Sequence, residues 1–275
     1  METILFWARV ILASAFLAYA SWSDFKTREI SNNVWLFFAP LAFLLTFAQF
    51  LFYPSQARFL PLLYGDAHSN AMISYALSFA ITSVFSILLF YAGAFGGADA
   101  KALMCIALAF PLPPESIDQL SGFVSPIFPI TVFSNGVIIA ALSVLYAVLR
   151  NLLWRQRTGH QLFEGYERES VGRKALAMLC GYKVSVDGLQ DSFLYPLEDF
   201  VTTEQRGTTR RLLVFPKDEN REEIIERLVK AKNEGKIQEK VWATPGLPML
   251  IFITVGFLLA LTVGDVIWIT VSQLL

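Results

Sequence analysis

Apolar residues in this chain run on for roughly 20 positions at a time, several times over, and a run of that length has one stable solution. It forms an α-helix across a lipid bilayer, where every backbone N–H and C=O must find its partner within the segment. Such runs fall at roughly 3–22, 33–53, 71–94, 99–112, 127–153 and 244–270. They predict an all-α polytopic membrane protein of about six transmembrane helices. The fourth run is the shortest: it extends about 20 Å before Pro111, Pro113 and Pro114 stop it, against a hydrocarbon core of about 30 Å. It either enters the bilayer part way or is extended by the apolar stretch Leu120 to Ile130. The first run begins almost at Met1 without a basic start, so it reads as a retained helix rather than a cleaved signal. With 55% hydrophobic and only 16% charged residues, the composition agrees.

The charges that remain are unevenly placed. Most of the 22 Lys and Arg and most of the 23 Asp and Glu lie in residues 151–242. This predicts a small soluble α+β domain inserted before the last transmembrane helix, with 1–150 and 243–275 forming the membrane part. Within the insertion, Arg211 to Phe215 reads as a strand. Asp218-Glu219-Asn220 then opens a helix that carries Ile224, Ile225, Leu228 and Val229 on one face, with Gly235 as its stop. Lys26, Arg28, Lys101, Arg150, Arg155 and Arg157 alternate to one side of the bilayer, and the opposite loops hold only Arg58. The positive-inside rule makes that side the cytoplasm and puts the N-terminus outside. Trp7, Trp22, Trp35, Trp154, Trp242 and Trp268 sit mostly near span ends, as interfacial belts do.

Several chemistries are disfavoured. A net charge of −1 gives no bulk attraction for nucleic acid. Cys105 and Cys180 form no Cys-x-x-Cys pair, and His68 and His160 are isolated, so neither a zinc site nor a disulfide framework is indicated. No metal or organic cofactor is expected. Arg9 lies within the first span, close enough to its outer end to snorkel. Asp265 falls at the far end of the last helix from Pro245, and Asp66 and His68 lie on an outer loop.

Two aspartates remain, and helix parity delivers both to the cytoplasmic edge: Asp24 after the first span and Asp99 at the start of the fourth. Taken singly, Asp99 suits a cap on the helix Ala100 to Phe110, and Asp24 an interfacial residue or a cap. Taken together they suit acid–base chemistry. Two carboxylates about 3 Å apart in a partly dry site cannot both ionise cheaply, so one holds a proton while the other activates water. Gly96 and Gly97, just before Asp99, would permit a tight turn and the close approach of a helix or an extended substrate.

Gly96-Gly97-Ala98-Asp99-Ala100-Lys101, taken with Asp24-Phe25-Lys26-Thr27-Arg28-Glu29-Ile30-Ser31-Asn32, resembles the type IV prepilin peptidase family, and in particular its archaeal preflagellin/prepilin peptidase branch. The resemblance spans the helical layout. It implies a membrane aspartyl endopeptidase with Asp24 and Asp99 as its catalytic pair, supported by Gly96, Gly97, Ala98 and Lys101. The implied partners are archaellin or pilin-like precursors, whose short class III signal peptides would be cut at the cytoplasmic membrane face after a glycine, beside the lipid bilayer. Ala98 replaces the second glycine of Gly-x-Gly-Asp, and Ser31 stands where many relatives have proline. The loop after the first span is short and lacks cysteine, so no methyltransferase activity is implied.

Lys26 and Arg28 are candidate contacts for substrate or lipid headgroups, and positive-inside charge also accounts for them. Lys101 is a nearby cation that would favour the ionised member of the pair. Thr244-Pro245-Gly246-Leu247-Pro248 resembles the Pro-Ala-Leu element of presenilin-like proteases, making Pro245 and Gly246 candidate substrate contacts, although prolines at a helix start are ordinary. Two alternatives stand beside this reading. One is a presenilin-like protease that cuts within the bilayer; the other is a proton-coupled transporter that uses the same aspartates as a relay.

Overall fold

The computed structural model describes residues 2–52, 67–114, 125–167, 169–190, 193–203, 207–213, 221–237, 239–246 and 248–274. Arg58, Asp66, Val214, Phe215 and the helix opening Asp218-Glu219-Asn220 lie outside the described residues, as does the His68 side chain. The chain divides into two compact units, residues 1–140 with 248–275, and residues 141–247.

The first unit is a helical bundle of α1 (Glu2–Thr27), α2 (Asn32–Phe52), α3 (Ala67–Tyr91), α4 (Gly97–Ala109), the first part of α5 (Phe128–Thr158), α8 (Met249–Thr262) and α9 (Val266–Leu274). Among the described residues four helices are long and apolar enough to cross a membrane: α1, α2, residues Asn70–Tyr91 of α3, and α5. The pair α8 and α9, bent by 60° at a short break, would make a fifth. The protein is a multi-pass membrane protein, with four to five candidate spans among the described residues.

Two of the expected spans differ for physical reasons. α4 has only 13 residues, about 20 Å at 1.5 Å per residue. It packs against α1, α2, α3 and α8. Ala100, Ala102, Leu103, Cys105, Ile106, Ala107 and Ala109 are all buried, so small side chains let four neighbours close around it. The last apolar run is not one helix from residue 244. Thr244 and Pro245 end a β-strand, the helix begins after Pro248, and it breaks at residues 263–265, where Gly264 adopts φ +96°.

Asp265 caps the second piece of that broken helix. Its carboxylate accepts from the backbone N–H of Ile267 (3.1 Å) and Trp268 (3.3 Å), and from Thr131 Oγ1 on α5 (3.2 Å). Asn135 completes the brace, donating to the Gly264 carbonyl at 2.9 Å and accepting from the Val266 N–H at 3.0 Å. Further along the α5–α8 contact the backbones nearly touch. A Cβ on Gly256 would lie 2.4 Å from the Val132 carbonyl oxygen, so only glycine fits there.

The second unit contains the end of α5, helix α6 (Val171–Cys180) and strands β1 (Tyr182–Ser185), β2 (Leu194–Pro196), β3 (Glu198–Thr203) and β4 (Gly207–Leu212). Helix α7 (Arg221–Asn233) and strand β5 (Lys240–Pro245) complete it. The strands form an antiparallel sheet of order β1-β5-β2 and a separate β3-β4 hairpin. α7 packs on β2 and β3 through buried Ile224, Ile225, Leu228 and Ala231, with Val229 only partly buried. The strand expected from Arg211 starts earlier, at Gly207, because Glu198 to Thr203 offers it a six-residue antiparallel partner. Glu198 is fully buried at the start of that hairpin. It accepts from Arg210 (Nε at 3.1 Å, Nη2 at 2.5 Å), from the Trp242 N–H at 3.0 Å and from the Tyr166 hydroxyl.

Candidate active site

Helix α1 runs past the expected end of its span to Thr27, so Asp24 projects from the last helical turn instead of following the helix. The helix continues because Ser23 and Thr27 are bound to the chain that leaves it. Ser23 Oγ donates to the Glu29 carbonyl at 2.8 Å, and Thr27 Oγ1 donates to the Ser23 and Glu29 carbonyls at 2.9 and 3.0 Å. Arg28 then ends the helix in the left-handed region at φ 58°, with its N–H on the Asp24 carbonyl at 3.0 Å. A non-glycine residue held there carries backbone strain, which the surrounding hydrogen bonds hold in place. Two residues before Asp24, Trp22 offers its ring to the Lys26 ammonium, 4.5 Å from the centroid.

Asp99 reaches the site from the other side. The turn between α3 and α4 is made at Gly93, φ +73°, where carbonyls of Leu88, Leu89 and Phe90 accept the N–H groups of residues 92–95. It is not made at Gly96 or Gly97. Phe95, buried against Phe133 with centroids 5.7 Å apart, anchors the turn to the core. Gly96 is the N-cap of α4 with extended backbone, and Asp99 lies three residues on, in the first turn. The Asp99 carboxylate therefore folds back to accept the Gly96 N–H at 2.9 Å rather than capping the helix itself. A Cβ at position 96 would stand 3.2 Å from Asp99 Oδ2, so glycine makes room for this carboxylate. Gly97 meets only the edge of Phe90, at ordinary contact distance, and Ala98 packs on the core.

The structure thus brings Asp24 and Asp99, both partly buried, to one end of the same bundle, near enough for their charges to act on each other. Lys101 Nζ, two residues after Asp99, donates to Asn32 Oδ1 at 2.7 Å, tying the start of α4 to the first residue of α2. Asn32 was missed by sequence reasoning; the signal was a lysine at the start of a buried helix, whose ammonium needs an acceptor within reach.

Arg9 was misread. It does not snorkel: only 6% exposed, it donates from Nη1 to the Ala109 carbonyl at 3.1 Å and covers the Phe110 ring at 4.9 Å. Thr46 Oγ1 donates to the same carbonyl at 3.0 Å. The C-terminal end of α4 is therefore held by α1 and α2 while its other end presents Asp99.

Pro245 and Gly246 belong to the second unit. Pro245 pairs with Leu194 at the end of β5, and the Gly246 N–H donates to the Phe193 carbonyl at 3.2 Å. A Cβ on Gly246 would press on the Tyr195 ring at 3.0 Å, which explains the glycine by packing. Among the described residues no group of three or more His, Cys, Asp or Glu side chains could hold a metal ion.

Fold and site together define a multi-pass membrane protein that brings two aspartates from separate helices to one end of its bundle. Comparison with known proteins carries this further. A family model described as the type IV leader peptidase family matches residues 11–145, which contain both aspartates. A second, the archaeal peptidase A24 C-terminus type II, matches residues 173–266. Preflagellin peptidases of Methanococcus maripaludis and Methanococcus voltae are each 26% identical to this chain, with 93% and 90% of it covered and 94% and 92% of their own lengths. The chain belongs to the type IV leader peptidase family. It is an aspartic-type peptidase.

Proposed function

We propose that Asp24 and Asp99 are the catalytic pair of this peptidase. We further propose that it removes the short N-terminal leader of archaellin or type IV pilin-like precursors at the cytoplasmic face of the cell membrane. The observation that carries the reading is the delivery of two carboxylates by α1 and α4 to one end of the bundle, within charge range of each other. The names of the two Methanococcus relatives supply the substrate class.

The chemistry follows from the pairing. Between two close carboxylates a single proton is shared, because ionising both in a partly dry site is costly. The ionised member takes a proton from a water molecule while the water oxygen attacks the leader's scissile carbonyl. The neutral member donates a hydrogen bond to the oxygen on which negative charge develops. Collapse of the tetrahedral adduct breaks the C–N bond, and the proton held by the pair passes to the departing amine. The Gly96 N–H on Asp99 Oδ2 fixes which oxygen of that carboxylate is free to face water. Lys26 and Arg28, at the end of α1, would meet lipid headgroups or the leader, and Lys101 holds the start of α4 to Asn32.

Co-expression with archaellin or pilin-like precursors tests this, the product N-terminus being sequenced for wild type, Asp24→Asn and Asp99→Asn. Cleavage after the leader glycine that requires both aspartates is the expected result. A folded, membrane-inserted Asp99→Asn protein that cleaves at the wild-type rate would remove Asp99 from the mechanism.

A further inference from the structure

α6 is amphipathic in the opposite sense to a helix that faces water. Its inner side packs Ala177 into a core with Tyr166, Leu197, Leu212 and Trp242, with Met178 against it. Its outer side consists of Val171, Gly172, Ala175, Leu176, Leu179 and Cys180, all exposed. At 3.6 residues per turn these fall on one continuous half of the helix, and none of them is charged. Val171 is 83% exposed, Leu176 43% and Leu179 42%. The two cations, Arg173 and Lys174, sit on the less exposed side, with Arg173 paired to Glu169 at 3.3 Å. An open apolar face of this kind marks a surface that meets something other than water.

We infer that the outer face of α6 rests on the bilayer, as an interfacial helix whose Val171, Leu176 and Leu179 enter the headgroup and upper acyl region. The height of α6 along α5 supports this. A hydrocarbon core of about 30 Å takes about 20 residues of helix, so α5, which begins at Phe128, leaves the core near residue 148. Its first charge is Arg150. At that level Asn151 Nδ2 donates to the carbonyls of Met178 at 3.2 Å and Gly181 at 2.8 Å, which binds the C-terminal end of α6 to α5. Tyr182, the next residue, stacks under the Arg150 guanidinium at 3.8 Å and meets Tyr146 edge-on, a grouping of Tyr and Arg suited to the headgroup layer.

The apolar surface is also continuous. Leu145, Leu149, Leu152 and Leu153 are exposed on α5, and α6 extends that surface sideways from the point where the two helices are hydrogen-bonded. Lipid already surrounds a membrane-spanning α5, so the bilayer covers this face without a further partner. Arg155 and Arg157, at the end of α5, add the positive charge that favours anionic headgroups.

Cys180 ends the exposed face of α6, and Cys105 is buried in α4, so one environment-sensitive fluorophore can be placed on Cys180. Full-length protein carrying Cys105→Ala would be reconstituted into phosphatidylcholine and phosphatidylglycerol vesicles. The label is expected to lose most of its emission to lipids bearing a nitroxide near the headgroup and to resist aqueous iodide. Leu176→Glu together with Leu179→Glu should reverse that pattern. A label as open to iodide as one placed at exposed His160 by His160→Cys, and untouched by nitroxide lipids, overturns the inference. So does a label shielded from both quenchers, which would mean that protein covers the face. The measurement involves no precursor, so its outcome is separate from that of the cleavage experiment.

Discussion

The two units bury polar side chains in different ways. In the bundle, Arg9, Thr46, Asn135 and Asp265 bind backbone groups at the ends and breaks of helices: the Ala109 carbonyl, the Gly264 carbonyl, the N–H groups of α9. In the second unit Asn151 does the same at the end of α6, but the buried charge of Glu198 finds its partners mainly in other side chains, Arg210 and Tyr166. Water is absent around a membrane helix, so the backbone groups left over where α4 ends or α8 breaks are the costliest unmet needs, and polar side chains are used there. A strand-rich unit satisfies its backbone in ladders, and its buried charge must be met by an opposite charge.

The aspartate pair departs from this pattern most: among the described residues only Asp99 of the two binds the backbone, and the proposed role of both is chemistry. Asp24→Asn or Asp99→Asn should lower precursor cleavage by about 10²–10⁴-fold, the usual worth of a positioned acid or base, while membrane insertion is unchanged. Rate measurement on purified protein checks both. In the second unit, Glu198→Ala leaves Arg210 without its partner. It should destabilise the unit by about 3–5 kcal/mol, read as resistance to proteolysis in denaturant, and replacing Arg210 by Met as well should recover most of the loss. Gly256→Ala should cost about 1–3 kcal/mol in the bundle by forcing α5 from α8, visible as an earlier thermal transition in detergent.

A pH-dependent effect concerns Lys183, whose pKa is lowered to about 8 by burial, against 10.5 in an unfolded chain. Between those values the unfolded chain binds the extra proton, so stability of the second unit rises from pH 8 towards 10.5. Denaturation midpoints across that range should show the rise in wild type and none of it in Lys183→Met.

The residues explain how much could be read in advance. Long apolar runs and a charge-rich insertion are properties of composition, so the multi-pass bundle and the strand-containing region were legible. So were the aspartates and the glycines before Asp99. What escaped was set by contacts distant in sequence. Nothing near Gly93 says that it, rather than Gly96, makes the turn. The Asp99 back-bond to Gly96 depends on the extended approach that this turn creates. Thr244 and Pro245 read as a helix entrance because their strand partners, Tyr195 and Leu194, lie some fifty positions away. Arg9 read as an outward-reaching cation because the Ala109 carbonyl that receives it is 100 positions further along.

The enclosure of α4 has a consequence for how the enzyme meets membranes of different thickness. A bilayer that is too thick or too thin tilts or strains the helices that touch it. α4 is too short to span and is packed on α1, α2, α3 and α8, so hydrophobic mismatch acts on those neighbours first. The depth of Asp99 is thereby set by protein contacts at both ends of α4, the Arg9 and Thr46 grip on Ala109 and the Lys101 bond to Asn32, rather than by the lipid.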